Sequence, residues 1–114
     1  MNPKPSRGDV WQVDMGIAGK VRPCLLLTDY PNEDELALVT VIPHTTALRG
    51  NSWEIAIDKP FLKPGAFHLQ QVQSISLSKL MRRLGYLTAE EWEAVGVRLA
   101  MRVQASRLSA MFRL

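Results

Sequence analysis

Asp9-Val10-Trp11-Gln12-Val13-Asp14-Met15 is the stretch on which the fold turns. Trp11, Val13 and Met15 fall on one side of it and Gln12 and Asp14 on the other. That period of two predicts a half-buried strand. Before it, residues 1–7 carry two prolines and no periodicity, and read as a flexible lead-in. After it, Gly16-Ile17-Ala18-Gly19-Lys20-Val21 is a glycine-punctuated loop. Arg22-Pro23-Cys24-Leu25-Leu26-Leu27-Thr28 then forms a continuous apolar run of strand length, the pattern of a strand central in a sheet. Proline is tolerated at a strand's first residue, so this strand is expected to begin at Pro23.

Working outward, Leu36 to Ile42 is rich in apolar and β-branched residues and predicts a third strand, which Pro43-His44-Thr45-Thr46 is expected to break. Ser52 to Asp58 alternates and predicts a fourth. A fifth is expected after the Pro64-Gly65 turn, from Ala66 to about Val72, and Leu80 to Leu87 reads as a short helical turn running into a sixth. From about residue 88 the period changes. Thr88 with Glu91 three residues on is a capping-box signature, and Glu90, Glu91 and Glu93 suit a helix N-terminus. Trp92, Val95, Leu99 and Val103 make one helical stripe. Val97, Met101, Leu108 and Phe112 make a second, expected to be core, with contact to another chain as the alternative. Gly96, costly inside a helix, suggests close backbone packing there. Strands at short, regular spacing with one closing helix imply a mainly β protein, a small, strongly bent barrel in a single domain over residues 8–114.

Composition sets the limits around that fold. Of 114 residues, 46% are hydrophobic and 22% charged, which is ordinary for a globular chain long enough to bury a core. No stretch approaches the roughly 20 apolar residues that span a bilayer. The first residues lack the apolar segment of a secretion signal, so a cytoplasmic location is expected and no membrane partner. The single cysteine, Cys24, lies in an apolar run and reads as core. Two histidines and one cysteine at no ligand spacing give no metal site, and no cofactor is expected. The net charge of +3 suits a polyanionic partner, but Asp29, Glu33, Asp34 and Glu35 crowd one loop, so such a partner must bind elsewhere.

Three motifs in order, Gly8-Asp9-Val10-Trp11-Gln12-Val13-Asp14, Arg22-Pro23-Cys24-Leu25-Leu26-Leu27-Thr28 and Val41-Ile42-Pro43-His44-Thr45-Thr46, together resemble the MazF/PemK family of toxin–antitoxin endoribonucleases. Gly65-Ala66-Phe67-His68-Leu69-Gln70-Gln71-Val72 and the terminal helix are similar as well, so the resemblance covers residues 8 to about 104. It implies an SH3-like barrel that forms a two-fold homodimer, and a cognate antitoxin with an acidic tail. It also implies metal-independent, sequence-selective cleavage of single-stranded RNA by the substrate's own 2′-hydroxyl, leaving a 2′,3′-cyclic phosphate and a 5′-hydroxyl. By position, the catalytic arginine falls on Arg22 and the catalytic threonine on Thr45. Two departures bear on this. Gln70 stands where many relatives carry an aspartate, and the loop 16–21 is short and lacks an acidic residue, which touches cut-site preference.

The residue types suit such chemistry. An arginine fork stays charged and matches two phosphate oxygens at once, and a threonine hydroxyl can hold a third. His44 is the imidazole next to Thr45 and is a candidate for proton transfer or base stacking. Lys20, Thr46 and Arg49 are candidates for RNA binding. From residue types alone, Arg22 reads sooner as a solvated strand end and Thr45 as a turn cap; the resemblance is what reverses that and assigns them to a site. A gyrase poison resembling CcdB, or a silent barrel that binds proteins, would share the fold and leave both residues dispensable.

Overall fold

In the computed structural model, which describes residues 4–16 and 20–111, the strands are β1 (Asp9–Asp14), β2 (Val21–Leu26), β3 (Leu38–Thr45), β4 (Glu54–Ile55), β5 (Ala66–His68), β6 (Gln73–Ser76) and β7 (Leu80–Tyr86), and one helix follows, α1 (Ala89–Met111). All pairings are antiparallel, in the order β4-β5-β3-β2-β1-β7, with β6 also on β3. One edge of β3 carries β2. The other edge is divided: β6 pairs Leu38–Val41 and β5 pairs His44–Thr45. That division bends the sheet over on itself, giving the mainly β, barrel-type fold with a C-terminal helix.

The bent sheet buries both of its faces. Val10, Leu25 and Ile42 pack with Phe67, Leu69, Leu87 and Val95 on one side. Trp11, Val13, Cys24, Leu26, Val39 and Val41 pack on the other. Neighbouring residues along each strand thus serve different cores, which is why β2 reads as an unbroken apolar run. It also corrects the half-buried reading of β1, since Val10 is fully buried opposite Trp11 and Val13. Asp9 is buried with its charge satisfied. It accepts from the Ser6 N–H (3.0 Å) and Trp11 Nε1 (3.2 Å), and Arg83 Nε lies 3.3 Å from its other oxygen. Residues 4–8 meanwhile run past the 29–30 loop: the Arg7 N–H donates to Asp29, and the Lys4 ammonium lies over the Tyr30 ring. Residues 1–3 of the expected lead-in, and residues 17–19 of the short loop, lie outside the described residues.

Several boundaries moved for physical reasons. β4 is two residues long rather than seven. β5 stops at His68, and a 3₁₀ turn over Leu69–Gln71 carries the chain from one half of β3's edge to the other. There it forms β6, a polar strand whose inward residue is Ile75, too weak a pattern to read from sequence. The turn expected at Leu80 falls at Leu77–Lys79.

The capping box forms as expected: the Thr88 N–H donates to Glu91 Oε1 (2.8 Å) and the Glu91 N–H to Thr88 Oγ1 (3.1 Å). Lys59 Nζ adds an ion pair to Glu91 at 2.5 Å. Trp92, Val95 and Leu99 pack on the first core. Val103, expected to continue that stripe, is exposed, and so are Val97 and Met101, so the second stripe is not core within the described residues; the side chains of Leu108 and Phe112 lie outside them. A helix lying on one side of a sheet buries one stripe. Nor does Gly96 mark a close approach, since a Cβ there would meet nothing within 4 Å. Gly96→Ala is therefore expected to stabilise the protein by about 1 kcal/mol, read as a raised midpoint in thermal unfolding. A lowered midpoint would show that the helix is covered there.

Candidate active site

Antiparallel ladders alternate bonded and non-bonded pairs, and that alternation explains where the site opens. The Leu27 N–H donates to the Thr40 carbonyl at 2.8 Å, which makes Leu25↔Ile42 the next bonded pair and Cys24↔Pro43 a non-bonded one. Pro43 thus turns its nitrogen away from β2, into the gap between the β6 pairing, which ends at Val41, and the β5 pairing, which begins at His44. β3 runs through this proline to Thr45 without losing a ladder bond, and the expected break does not occur. On the far side of β2, the Met15 N–H donates to the Lys20 carbonyl, so Gln12↔Pro23 is likewise non-bonded. β2 therefore starts at Val21, two residues before Pro23. The next bonded pair of the β2–β3 ladder would be Pro23 with His44, but Pro23 has no N–H to give. The ladder ends at Cys24↔Pro43.

Past that end lies a cavity of about 450 Å³ lined by Val21, Arg22 and Pro23 of β2 and by His44, Thr45, Thr46 and Ala47. Gln12 of β1, Arg82 and Leu84 of β7, and Phe61 and Lys63 of the loop before β5 complete it. Arg22, Lys63 and Arg82 bring three cations to it, and the lining holds no carboxylate. Among the described residues none of the three makes an ion pair. The arrangement is chemically suited to an anion with more than one charged oxygen.

Thr45 Oγ1 accepts from the Ala47 N–H at 3.0 Å. This turn bond fixes the hydroxyl and leaves its hydrogen to donate. His44 is only 5% exposed, and its ring meets Phe67 edge-on, with centroids 5.1 Å apart and an interplanar angle of 78°. Its Nε2 is buried without a partner in the described structure, and burial pushes its pKa below the ordinary 6.5. The ring is neutral at pH 7. Beside Arg22, burial pushes the Cys24 thiol up to about 12 against the pull of that guanidinium, so the thiol is inert core. Gly65 allows the tight packing behind the pair: a Cβ there would stand 2.2 Å from the Thr45 carbonyl oxygen and 2.9 Å from His44 Cε1.

Of the residues expected at the site, Arg22, Thr45, His44 and Thr46 meet in this cavity. Lys20 and Arg49 do not line it. The Arg49 and Gly50 N–H groups instead each donate at 2.7 Å to the Glu54 carboxylate, which lowers its pKa. Gln70 is exposed in the 3₁₀ turn, away from the lining, and His68 is buried. Gln12, Phe61, Lys63 and Arg82 were not legible as site residues, because only the register of β1 with β7 sets Arg82 across from Gln12. Among the described residues no cluster of three or more His, Cys, Asp or Glu could hold a metal.

Gly65→Ala is expected to displace the Thr45 backbone and cost about 1–3 kcal/mol of stability, measured by denaturant unfolding. Wild-type stability with the substitution in place would show that the loop can move aside.

The comparisons with known proteins agree with this geometry. Residues 6–101 match a family model described as PemK-like, MazF-like toxin of type II toxin-antitoxin system. The chain is 32% identical over 110 residues to a Mycobacterium tuberculosis protein described as probable endoribonuclease MazF5, covering 94% of this chain and 100% of that one. It is 35% identical over 78 residues to endoribonuclease MazF3 of the same species, covering 67% of this chain and 76% of that one. The solved structure of the Mycobacterium tuberculosis toxin MazF-mt6 superposes with a TM-score of 0.68 at 29% identity, over 81% of this chain and 92% of that one. An endoribonuclease in complex with its cognate antitoxin, from a mycobacterial species, shares the fold with a TM-score of 0.73 at 22% identity, over 88% and 95% of the two chains. The match runs through every strand, the whole cavity lining and the first half of the helix, and the chain belongs to the PemK-like, MazF-like toxin family of type II toxin–antitoxin systems.

Proposed function

We propose that this protein is the toxin of such a system, a metal-independent endoribonuclease that cuts single-stranded RNA by attack of the substrate's 2′-hydroxyl. The observation that carries the reading is the joining of Arg22 and Thr45 across one cavity that holds three cations and no carboxylate. In the reaction the 2′-oxygen bonds to phosphorus as the bond to the 5′-oxygen breaks. One proton leaves the 2′-hydroxyl and one reaches the departing 5′-oxygen, giving a 2′,3′-cyclic phosphate and a 5′-hydroxyl. Arg22 steadies the charge on the non-bridging oxygens, and the Thr45 hydroxyl donates to one of them. His44 serves proton transfer rather than stacking. At 5% exposure the ring offers no face to a base, while Nε2 has no partner in the described structure. Thr46, Lys63 and Arg82 hold the RNA within the cavity, and Lys20 and Arg49 neutralise phosphates on the approaches.

The same reading supplies the partners: single-stranded RNA as substrate, a cognate antitoxin whose acidic tail competes for the cationic cavity, and a second copy of the chain in a two-fold homodimer. It places the protein in the cytoplasm. None of the described helices is long and apolar enough to cross a membrane.

Purified protein incubated with mixed-sequence RNA in excess EDTA is expected to leave cyclic phosphate ends. Arg22→Ala or Thr45→Ala should lower the rate on the order of 10²–10³-fold. Intact RNA would favour a CcdB-like gyrase poison acting through α1, or a silent barrel, and cleavage indifferent to both substitutions would remove Arg22 and Thr45 from the reaction.

His44 gives a pH dependence of definite sign. Its folded-state pKa is lowered, so its buried neutral ring contributes stability fully above about 6.5, lost as pH falls through the lowered value. The cleavage rate should fall over the same acid limb. His44→Ala should slow single-turnover cleavage more than about threefold and remove that limb. A smaller change with the limb intact ends the proton-transfer role.

A further inference from the structure

The cavity contains more than the phosphate grip needs. Beside its cations the lining includes an apolar part, Phe61, Leu84 and Pro23, and the side chain of Gln12, which stands across from Pro23 in the strand register. We infer that this part is a nucleobase slot for the RNA, in which Phe61 is the wall against the base plane and Gln12 reads the base edge. The inference rests on the ribonuclease reading and says which residues give the cut its sequence preference.

Two independent observations lead there. The first is Gln12. It lies in the middle of three strands, across from Pro23 on β2 and from Arg82 on β7. Its Oε1 is closed off from solvent and bonds to nothing in the described structure. A buried amide oxygen without a donor is unfavourable, and native proteins keep few of them outside functional sites. The last side-chain torsion of glutamine is soft, so the amide can turn either its acceptor or its donor into the cavity. A base edge with a donor beside an acceptor satisfies both, whereas a phosphate offers acceptors alone.

The second is Phe61. A Cβ on Gly85 would stand 2.5 Å from Phe61 Cε2 and 2.8 Å from Cζ, so the ring lies directly on the β7 backbone and cannot retreat into it. It is half-buried, packed on the first core yet lining the cavity. A fixed aromatic wall beside a hydrogen-bonding amide, next to three cations, matches the three parts of a nucleotide: flat base, polar edge and charged phosphate. About 450 Å³ is also within the range of cavities that hold small ligands.

Mapping cut sites on mixed-sequence RNA, compared at equal extents of cleavage, tests this. The wild type should prefer one base at a position next to the cut by about tenfold or more. Gln12→Leu should flatten that preference to within about threefold. Gln12→Glu can only accept, and should shift it toward the amino-bearing bases cytosine, adenine and guanine and away from uracil, whose single donor lies between two carbonyl acceptors. Phe61→Leu should weaken the preference and Phe61→Tyr restore it. A change in stability alone would move none of these ratios. The same base preference in both Gln12 variants as in the wild type overturns the slot. If the wild type leaves RNA intact, the ribonuclease reading fails, and the slot is then judged by titrating the wild type with the four nucleoside 3′-monophosphates, followed by NMR. Unequal affinities that Gln12→Glu reorders support it, and equal or unchanged affinities overturn it.

Discussion

Pro23 has no amide hydrogen, and the architecture of the site depends on that. In the register of β2 on β3, position 23 is where the next hydrogen bond to His44 belongs. Without it the ladder stops, and Arg22 and Thr45 flank an opening rather than a closed sheet. A second proline makes the arrangement possible from the other side. Pro43 points its missing donor into the gap between β5 and β6, so β3 continues past it and delivers His44 and Thr45 to the opening. Two prolines, each placed where a strand can do without an N–H, end one ladder and extend the other.

Charge is distributed to match. Arg22 stands at the start of β2 and the acidic loop follows its end, roughly 20 Å away along a six-residue strand. The carboxylates are thereby kept from the cationic cavity. Adjacent arginines on β7 are sorted by the period of two: Arg82 faces the cavity, while Arg83 pairs with buried Asp9 and lies over the Tyr86 ring. One is committed to holding the fold, and the other remains available to a ligand.

Rigidity at the site comes from close backbone packing. Gly65 brings its loop against the Thr45 carbonyl, and Gly85 lets the Phe61 ring rest on β7. His44 is wedged against Phe67 and kept neutral by burial. The site is thus an extension of the first hydrophobic core, opened at one end, and its groups need little reorganisation on meeting substrate.

The pattern of residues along the chain was enough to determine the mainly β class, the continuous burial of β2 and the capped helix from Thr88, and the family resemblance carried by the three motifs added the conjunction of Arg22, His44, Thr45 and Thr46. Alternation, apolar runs and capping are local properties, and the three motifs kept their order. Only the tertiary structure decided that β3 runs through Pro43, that a polar segment at Gln73–Ser76 pairs as a strand, and that Val97 and Met101 face outward. It alone brought Gln12, Phe61, Lys63 and Arg82 to the cavity. These outcomes depend on which strand lies beside which and in what register, and hydrogen-bond pairing between distant segments leaves no periodic trace in either segment alone.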